Sequence, residues 1–122
     1  MSDPVNNPAH YTGHPSGIEP IEVTRHLSSN RGQAFQYIFR HRDKGTPEQD
    51  LRKALWFVRD EIKNKLFETG IHEYGRRAAA KIIKATPELW EADCYLALTA
   101  GGLSSLRRCE AQLKQRLGEV TA

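Results

Sequence analysis

Most signatures that would name a chemistry outright are missing from this chain. There is no GxxxxGK[ST] phosphate loop and no GxGxxG turn, so neither common glycine cradle for phosphate is present. GxSxG and the protein-kinase motif set are absent too, which argues against nucleophile-elbow hydrolases and protein kinases. No CxxC or HExxH spacing supports a zinc site. The only cysteines, Cys94 and Cys109, fall on apolar helical faces and read as small buried hydrophobes rather than a disulfide. No apolar run approaches the roughly 18–20 residues of a membrane span, and no basic-then-apolar leader opens the chain, so the expectation is a cytoplasmic protein without a membrane partner. An excess of one charge is lacking as well. Eighteen Lys/Arg against 15 Asp/Glu leave +3, which argues against a dedicated nucleic-acid binder.

Helical periodicity is abundant, and no segment reads as a strand. With 122 residues and 39% hydrophobic composition the chain can bury one core. Pro20 to Leu27 fits a short helix. Gln33 to Arg42 places Ala34, Phe35, Ile38 and Phe39 on one side and Gln33, Gln36, Tyr37, Arg40 and Lys44 on the other. Gly45 ends it. Thr46-Pro47-Glu48-Gln49 then opens a helix reaching about Phe67, with Thr46 as cap, Pro47 at the first position and Gln49 closing a capping box. Leu51, Leu55, Val58 and Ile62 form its apolar stripe, and Gly70 breaks the pattern. Tyr74 to Ala85 follows, with Tyr74, Ala78, Ile82 and Ala85 along one side. Thr86-Pro87-Glu88 starts a helix running to about Thr99, burying Trp90, Cys94, Ala97 and Leu98. After Gly101-Gly102, Ser104 to Leu117 carries Leu106, Cys109, Leu113 and Leu117. Short amphipathic helices must each bury a stripe, so the expected fold is an all-α bundle of five to six helices. The last stripe could pair with a second copy, but core packing within one chain is the stronger reading.

Residues 1–20 hold four prolines and two glycines, which suit an extended arm. The arm carries Asn6, Asn7, His10, Tyr11 and His14, side chains that form directional hydrogen bonds. Arg40, His41, Arg42, Lys44, Arg52 and Lys53 crowd the turn between the two central helices. That cluster suits phosphate; the plainer alternative is a solvated face. Asp50 with Asp60 or Glu61 falls near one side of a helix, a weak pattern for magnesium.

Four separated blocks occur in order: Val5-Asn6-Asn7-Pro8-Ala9-His10-Tyr11, Ile18-Glu19-Pro20-Ile21, Gln33 through Gly45, and Glu48 through Phe57. They resemble the SaV-like domain of bacteriophage proteins, whose pattern is N-x-P-x-H-Y, G-I-E-x-I, G-N-x-x-K-Y-[IL]-x-R-x-x-x-K-G and D-L-x-K-A-x-W-Y. The resemblance spans about residues 5 to 60. It divides the chain into an SaV-like part, 1–66, and a helical extension, 67–122, packed on it in the same globular unit. Because that family includes a phage nucleotide kinase acting on deoxynucleoside monophosphates, the resemblance implies a phage protein in the host cytoplasm with a nucleotide ligand. The motif residues carried across are Asn7, His10, Tyr11, Tyr37, Arg40, Lys44, Asp50, Leu51 and Lys53; the nucleotide-binding set this implies is Asn7, His10, Tyr11, Gln33, Tyr37, Arg40, Lys44, Asp50 and Lys53. Two of the pattern's residues differ here, with Gln33 for the usual Asn and Gln36 for the usual Lys, which removes one cation and weakens the kinase reading relative to binding.

The resulting expectation is an arm folded over the Arg40/Lys44 end of the helical pair. His10 and Tyr11 would meet base or sugar while Arg40, Lys44 and Lys53 neutralise phosphate. Leu51 and Trp56 are expected in the core. Three functions fit: a nucleoside monophosphate kinase without a P-loop, a nucleotide-sequestering protein, or a host-protein inhibitor or assembly factor acting through residues 68–122. A site completed by an arm also suggests a homo-oligomer.

Overall fold

The computed structural model describes residues 14–41, 45–64, 71 and 73–118. Among these residues it has six helices and no strand: α1 Ile21–Thr24, α2 Ser29–Arg40, α3 Pro47–Lys63, α4 Glu73–Ala85, α5 Leu89–Ala100 and α6 Leu103–Arg116. The expected all-α bundle is therefore found. The most extensive packing is α2 on α3; α6 lies on α3 and α5, α5 also meets α2 and α4, and α1 touches α2 and α4. None of the described helices is long and apolar enough to cross a membrane.

Helix starts differ from the sequence expectation where the capping chemistry differs. Ser28 caps α2, its Oγ accepting from the Arg31 amide at 3.4 Å, so the helix begins before Gln33 and accommodates a buried Gly32. Pro47 occupies the first turn of α3 as expected, yet the Thr46 side chain makes no cap bond, so the anticipated capping box does not close. The helix stops at Lys63, where the Asn64 side chain donates to the Asp60 carbonyl at 2.9 Å; Phe67 and Gly70 lie outside the described residues. Thr86 does not cap α5 either. Its hydroxyl turns back to donate to the Ile82 carbonyl at 2.6 Å, and Glu88 takes the N-cap position.

The core joins Val23, Phe35, Ile38, Leu51, Leu55 and Val58 to Ile82, Tyr95, Leu98, Leu106 and Leu113. Burying each large apolar side chain contributes about 1.5–3 kcal/mol before chain entropy is counted. Cys94 and Cys109 are buried and free, as expected. A hydrogen bond with the neighbouring Cys109 thiol, and then burial, push the Cys94 thiol well above its usual range. The stripe of α6 is consumed inside the chain, with Leu106, Cys109 and Leu113 all buried.

Two aromatic expectations fail. Tyr74 was expected in the α4 stripe but is 70% exposed; the buried face is instead Gly75, Ala78, Ala79 and Ile82. Gly75 explains the shift. A Cβ there would sit 2.7 Å from Ile71 Cδ1 and 2.8 Å from the His26 ring, so only glycine lets α4 lie this close to them. Trp56 was expected in the core beside Leu51. Leu51 is buried, but Trp56 is 60% exposed. Successive helical positions turn by about 100°, and Trp56 lies well away from the Leu51, Leu55 and Val58 stripe.

Candidate functional site

Four contacts fix α2 and α3 as an antiparallel pair. From one end to the other they are Asn30 to Asp60 (2.9 Å), Arg31 to Glu61 (3.0 Å), Tyr37 on Phe57 (rings 5.9 Å apart) and Arg40 to Asp50 (3.7 Å). The candidate site lies at the Arg40 end. Tyr37 and Arg40 share a side of α2 because they are three residues apart, and Asp50 and Lys53 meet them from α3 for the same reason. The Arg40 guanidinium carbon stands 4.7 Å from the Tyr37 ring centroid, and the Lys53 ammonium 5.4 Å from it. Two cations therefore share one aromatic ring, an arrangement in which ring and cation attract electrostatically.

Asp50 is the carboxylate set against them. Its side chain is only 4% exposed against 24% for Arg40. Asp50 Oδ2 and Arg40 Nε are both buried without a hydrogen-bond partner among the described residues. Lys53 has no carboxylate partner among them, whereas Arg52 pairs with Glu48 at 2.8 Å. The site thus holds two cations to one carboxylate, with hydrogen-bonding capacity unspent. Such a set can receive an anion.

Of the residues expected from sequence, Tyr37, Arg40, Asp50 and Lys53 come together. Gln33 is exposed one turn before Tyr37 on α2. Asn7, His10, Tyr11 and Lys44 lie outside the described residues, so the arm's expected place over the site does too. The arm's first described residue, His14, stacks on Phe39 with ring centroids 4.9 Å apart, and its Nε2 lies 3.3 Å from Thr86 Oγ1. The suggested magnesium carboxylates serve other ends. Asp50 faces Arg40, Asp60 accepts from Asn30 and Asn64, and Glu61 pairs with Arg31; the described residues contain no cluster of three potential ligands.

Sequence reasoning missed three features. The first is the buried pair of Arg31 and Glu61, which the Ser28 hydroxyl joins by donating to Glu61 at 2.9 Å. A signal existed: Arg31 is four residues before Phe35 and Glu61 three after Val58, so both charges sit on apolar faces. The second is the aromatic step from Tyr37 through Phe57 to Trp56, whose ring meets Phe57 edge-on at 5.1 Å. The third is a groove of about 600 Å³ bordered by His41, Leu51, Trp90 and Arg116, with the Arg116 guanidinium 5.0 Å from the Trp90 ring. Nothing in the spacing of one helix foretells a groove built from four.

Comparison with known proteins adds one finding. Residues 5–59 match a family described as a protein of unknown function, DUF3310. No curated protein and no solved structure matches the chain. The DUF3310 match takes in α1, α2 and all but the last turn of α3, and so includes Tyr37, Arg40, Asp50 and Lys53. It leaves out α4, α5 and α6, and with them Trp90 and Arg116 of the groove.

Proposed function

We propose that this protein binds a phosphate-bearing small molecule, a nucleotide, at Tyr37, Arg40 and Lys53. The observation that carries the reading is the pair of cations over one tyrosine ring, at 4.7 and 5.4 Å, opposed by one carboxylate. Phosphate between Arg40 and Lys53 would satisfy both cations, and Asp50 would hold the Arg40 fork in place rather than contact the ligand. Binding alone needs no general base. Transfer of a phosphoryl group to a deoxynucleoside monophosphate, the finer reading implied by the likeness to phage SaV-like domains, would use the same cations for positioning and charge neutralisation. A homo-oligomer and a place in an infected host's cytoplasm belong to that same finer reading.

Calorimetric titration with the four deoxynucleoside monophosphates tests the proposal. The expected result is saturable binding that Arg40→Ala and Lys53→Ala each weaken at least tenfold, with the helical circular dichroism unchanged. Absence of binding, or binding indifferent to both substitutions, overturns it. A coupled assay with a triphosphate donor then separates sequestration from kinase activity.

A further inference from the structure

Trp56 is the largest side chain left in solvent beside the site. A free indole on a helix surface forgoes burial of a large apolar area, which folded chains generally exploit. Its position is not isolated. Lys53 precedes it by three residues, so the two side chains stand on neighbouring turns of α3, about 5–6 Å apart at Cβ. Lys53 leans over Tyr37; Phe57 stacks on Tyr37 with planes 14° apart and meets the Trp56 indole edge-on at 86°. The edge contact braces the indole and leaves it 60% exposed.

Resting on the nucleotide reading above, we infer that Trp56 is the base-stacking residue of this site, so that the ligand is recognised by its nucleobase as well as its phosphate. Lys53 and Arg40 take the phosphate, and the sugar spans the single helical turn between Lys53 and Trp56. Stacking on an indole suits any base, because every base has a π face. The site therefore selects nucleotides over sugar phosphates more strongly than one base over another. The occupant is a mononucleotide: on the exposed side of α3, Arg52 and Arg59 are engaged by Glu48 at 2.8 Å and Glu110 at 3.3 Å, so the described residues present no continuous row of free cations for a strand to follow.

The test compares deoxynucleoside monophosphates with 2-deoxyribose 5-phosphate, inorganic phosphate and a short single-stranded oligodeoxynucleotide. In the wild-type protein the nucleotides should bind about tenfold or more tightly than the sugar phosphate. Trp56→Ala should erase that difference, Trp56→Phe should restore part of it, and neither should change binding of the sugar phosphate. In Trp90→Phe, where Trp56 is the sole tryptophan, nucleotides should quench the fluorescence and the sugar phosphate should not. Equal affinity for nucleotide and sugar phosphate, or a Trp56→Ala protein that binds nucleotide as the wild type does, refutes the stacking role and leaves phosphate binding standing. Tighter binding of the oligonucleotide overturns the mononucleotide assignment. Failure of every phosphate compound to bind removes the nucleotide reading and this inference together.

Discussion

The two ends of the α2–α3 pair carry the same chemistry in different surroundings. Each has one arginine from α2 and one carboxylate from α3. At the Ser28 end, Arg31 and Glu61 are 1% and 0% exposed, their nitrogen and oxygen lie 3.0 Å apart, and Arg31 also donates to the Leu98 carbonyl of α5 at 3.1 Å. At the other end Arg40 remains partly in water, its distance to Asp50 is 3.7 Å, and a second cation shares its aromatic ring. The sealed pair ties three helices together. The open pair has one cation more than its carboxylate can neutralise. Each pair keeps one buried arginine nitrogen and one buried carboxylate oxygen without a hydrogen-bond partner among the described residues, so the ends differ in exposure and in the second cation: the buried pair holds the fold, and the open one can also receive a ligand.

The sharpest way to break this contrast is to remove one member of the sealed pair. Arg31→Ala should cost about 3–5 kcal/mol, because Glu61 would keep a buried charge with no countercharge. The double change Arg31→Met with Glu61→Leu should recover most or all of the loss, since burying two charges already costs solvation. Urea unfolding measures both. A single substitution costing less than about 1 kcal/mol would mean that water reaches this end after all.

A second substitution probes how tightly α4 packs beside His26. Gly75→Ala places a Cβ where Ile71 Cδ1 and the His26 ring already stand, at 2.7 and 2.8 Å. Forcing α4 away from His26 should cost about 2–3 kcal/mol, within the usual range for overpacking. Thermal unfolding of the alanine variant checks it, and an unchanged midpoint would show that His26 swings aside freely.

Arg40→Ala is the corresponding change at the open end. It leaves the Asp50 carboxylate without its arginine, so a loss of about 1–2 kcal/mol is expected, below that for Arg31→Ala. Its distinguishing effect should be on the proposed nucleotide binding, where Arg31→Met with Glu61→Leu should have little. If the sealed-pair double variant weakened binding as much as Arg40→Ala, the division of roles between the two ends would be lost.

The helices and the open end could be read from the sequence, the sealed end could not, and the gaps have physical causes. The helices were legible because apolar residues recur at helical steps, as at Leu51, Leu55 and Val58. Tyr37, Arg40, Asp50 and Lys53 are named together only through the motif resemblance; three-residue spacing on each of two adjacent helices is the physical reason they converge. Trp56 escapes a reading by hydrophobicity alone because angle decides: an indole next in sequence to buried Leu55 points elsewhere on a helix. Tyr74 is exposed because the interior takes the absence of a side chain at Gly75, and no hydrophobic pattern records an absence. The charges of Arg31 and Glu61, each read alone, suggest solvent; only their pairing across two helices makes burial tolerable.

The smallest expected effect sharpens the comparison from outside, at a third ion pair that is open to solvent and has no share in the site. Arg108 of α6 donates to Asp93 of α5, with Gln112 donating to the same carboxylate at 2.9 Å. The Arg108 hydrogen bond, helped by Gln112 and opposed by partial burial, holds the Asp93 carboxyl below its ordinary range. Its pKa is thus lower folded than unfolded. The pair's contribution is therefore present above about pH 4, the unfolded value, and is lost as pH falls through the lower folded value. Because Arg108 is half exposed, that contribution should stay below about 1 kcal/mol. Arg108→Ala should accordingly destabilise the protein slightly at neutral pH, with the difference from wild type shrinking in acid and in high salt. Chemical-shift titration of the Asp93 carboxyl gives the direct readout, and its pKa should rise in the variant. A difference in stability that persisted undiminished at pH 2 would mean that Arg108 acts through packing rather than charge, and that even an exposed arginine here belongs with the sealed end.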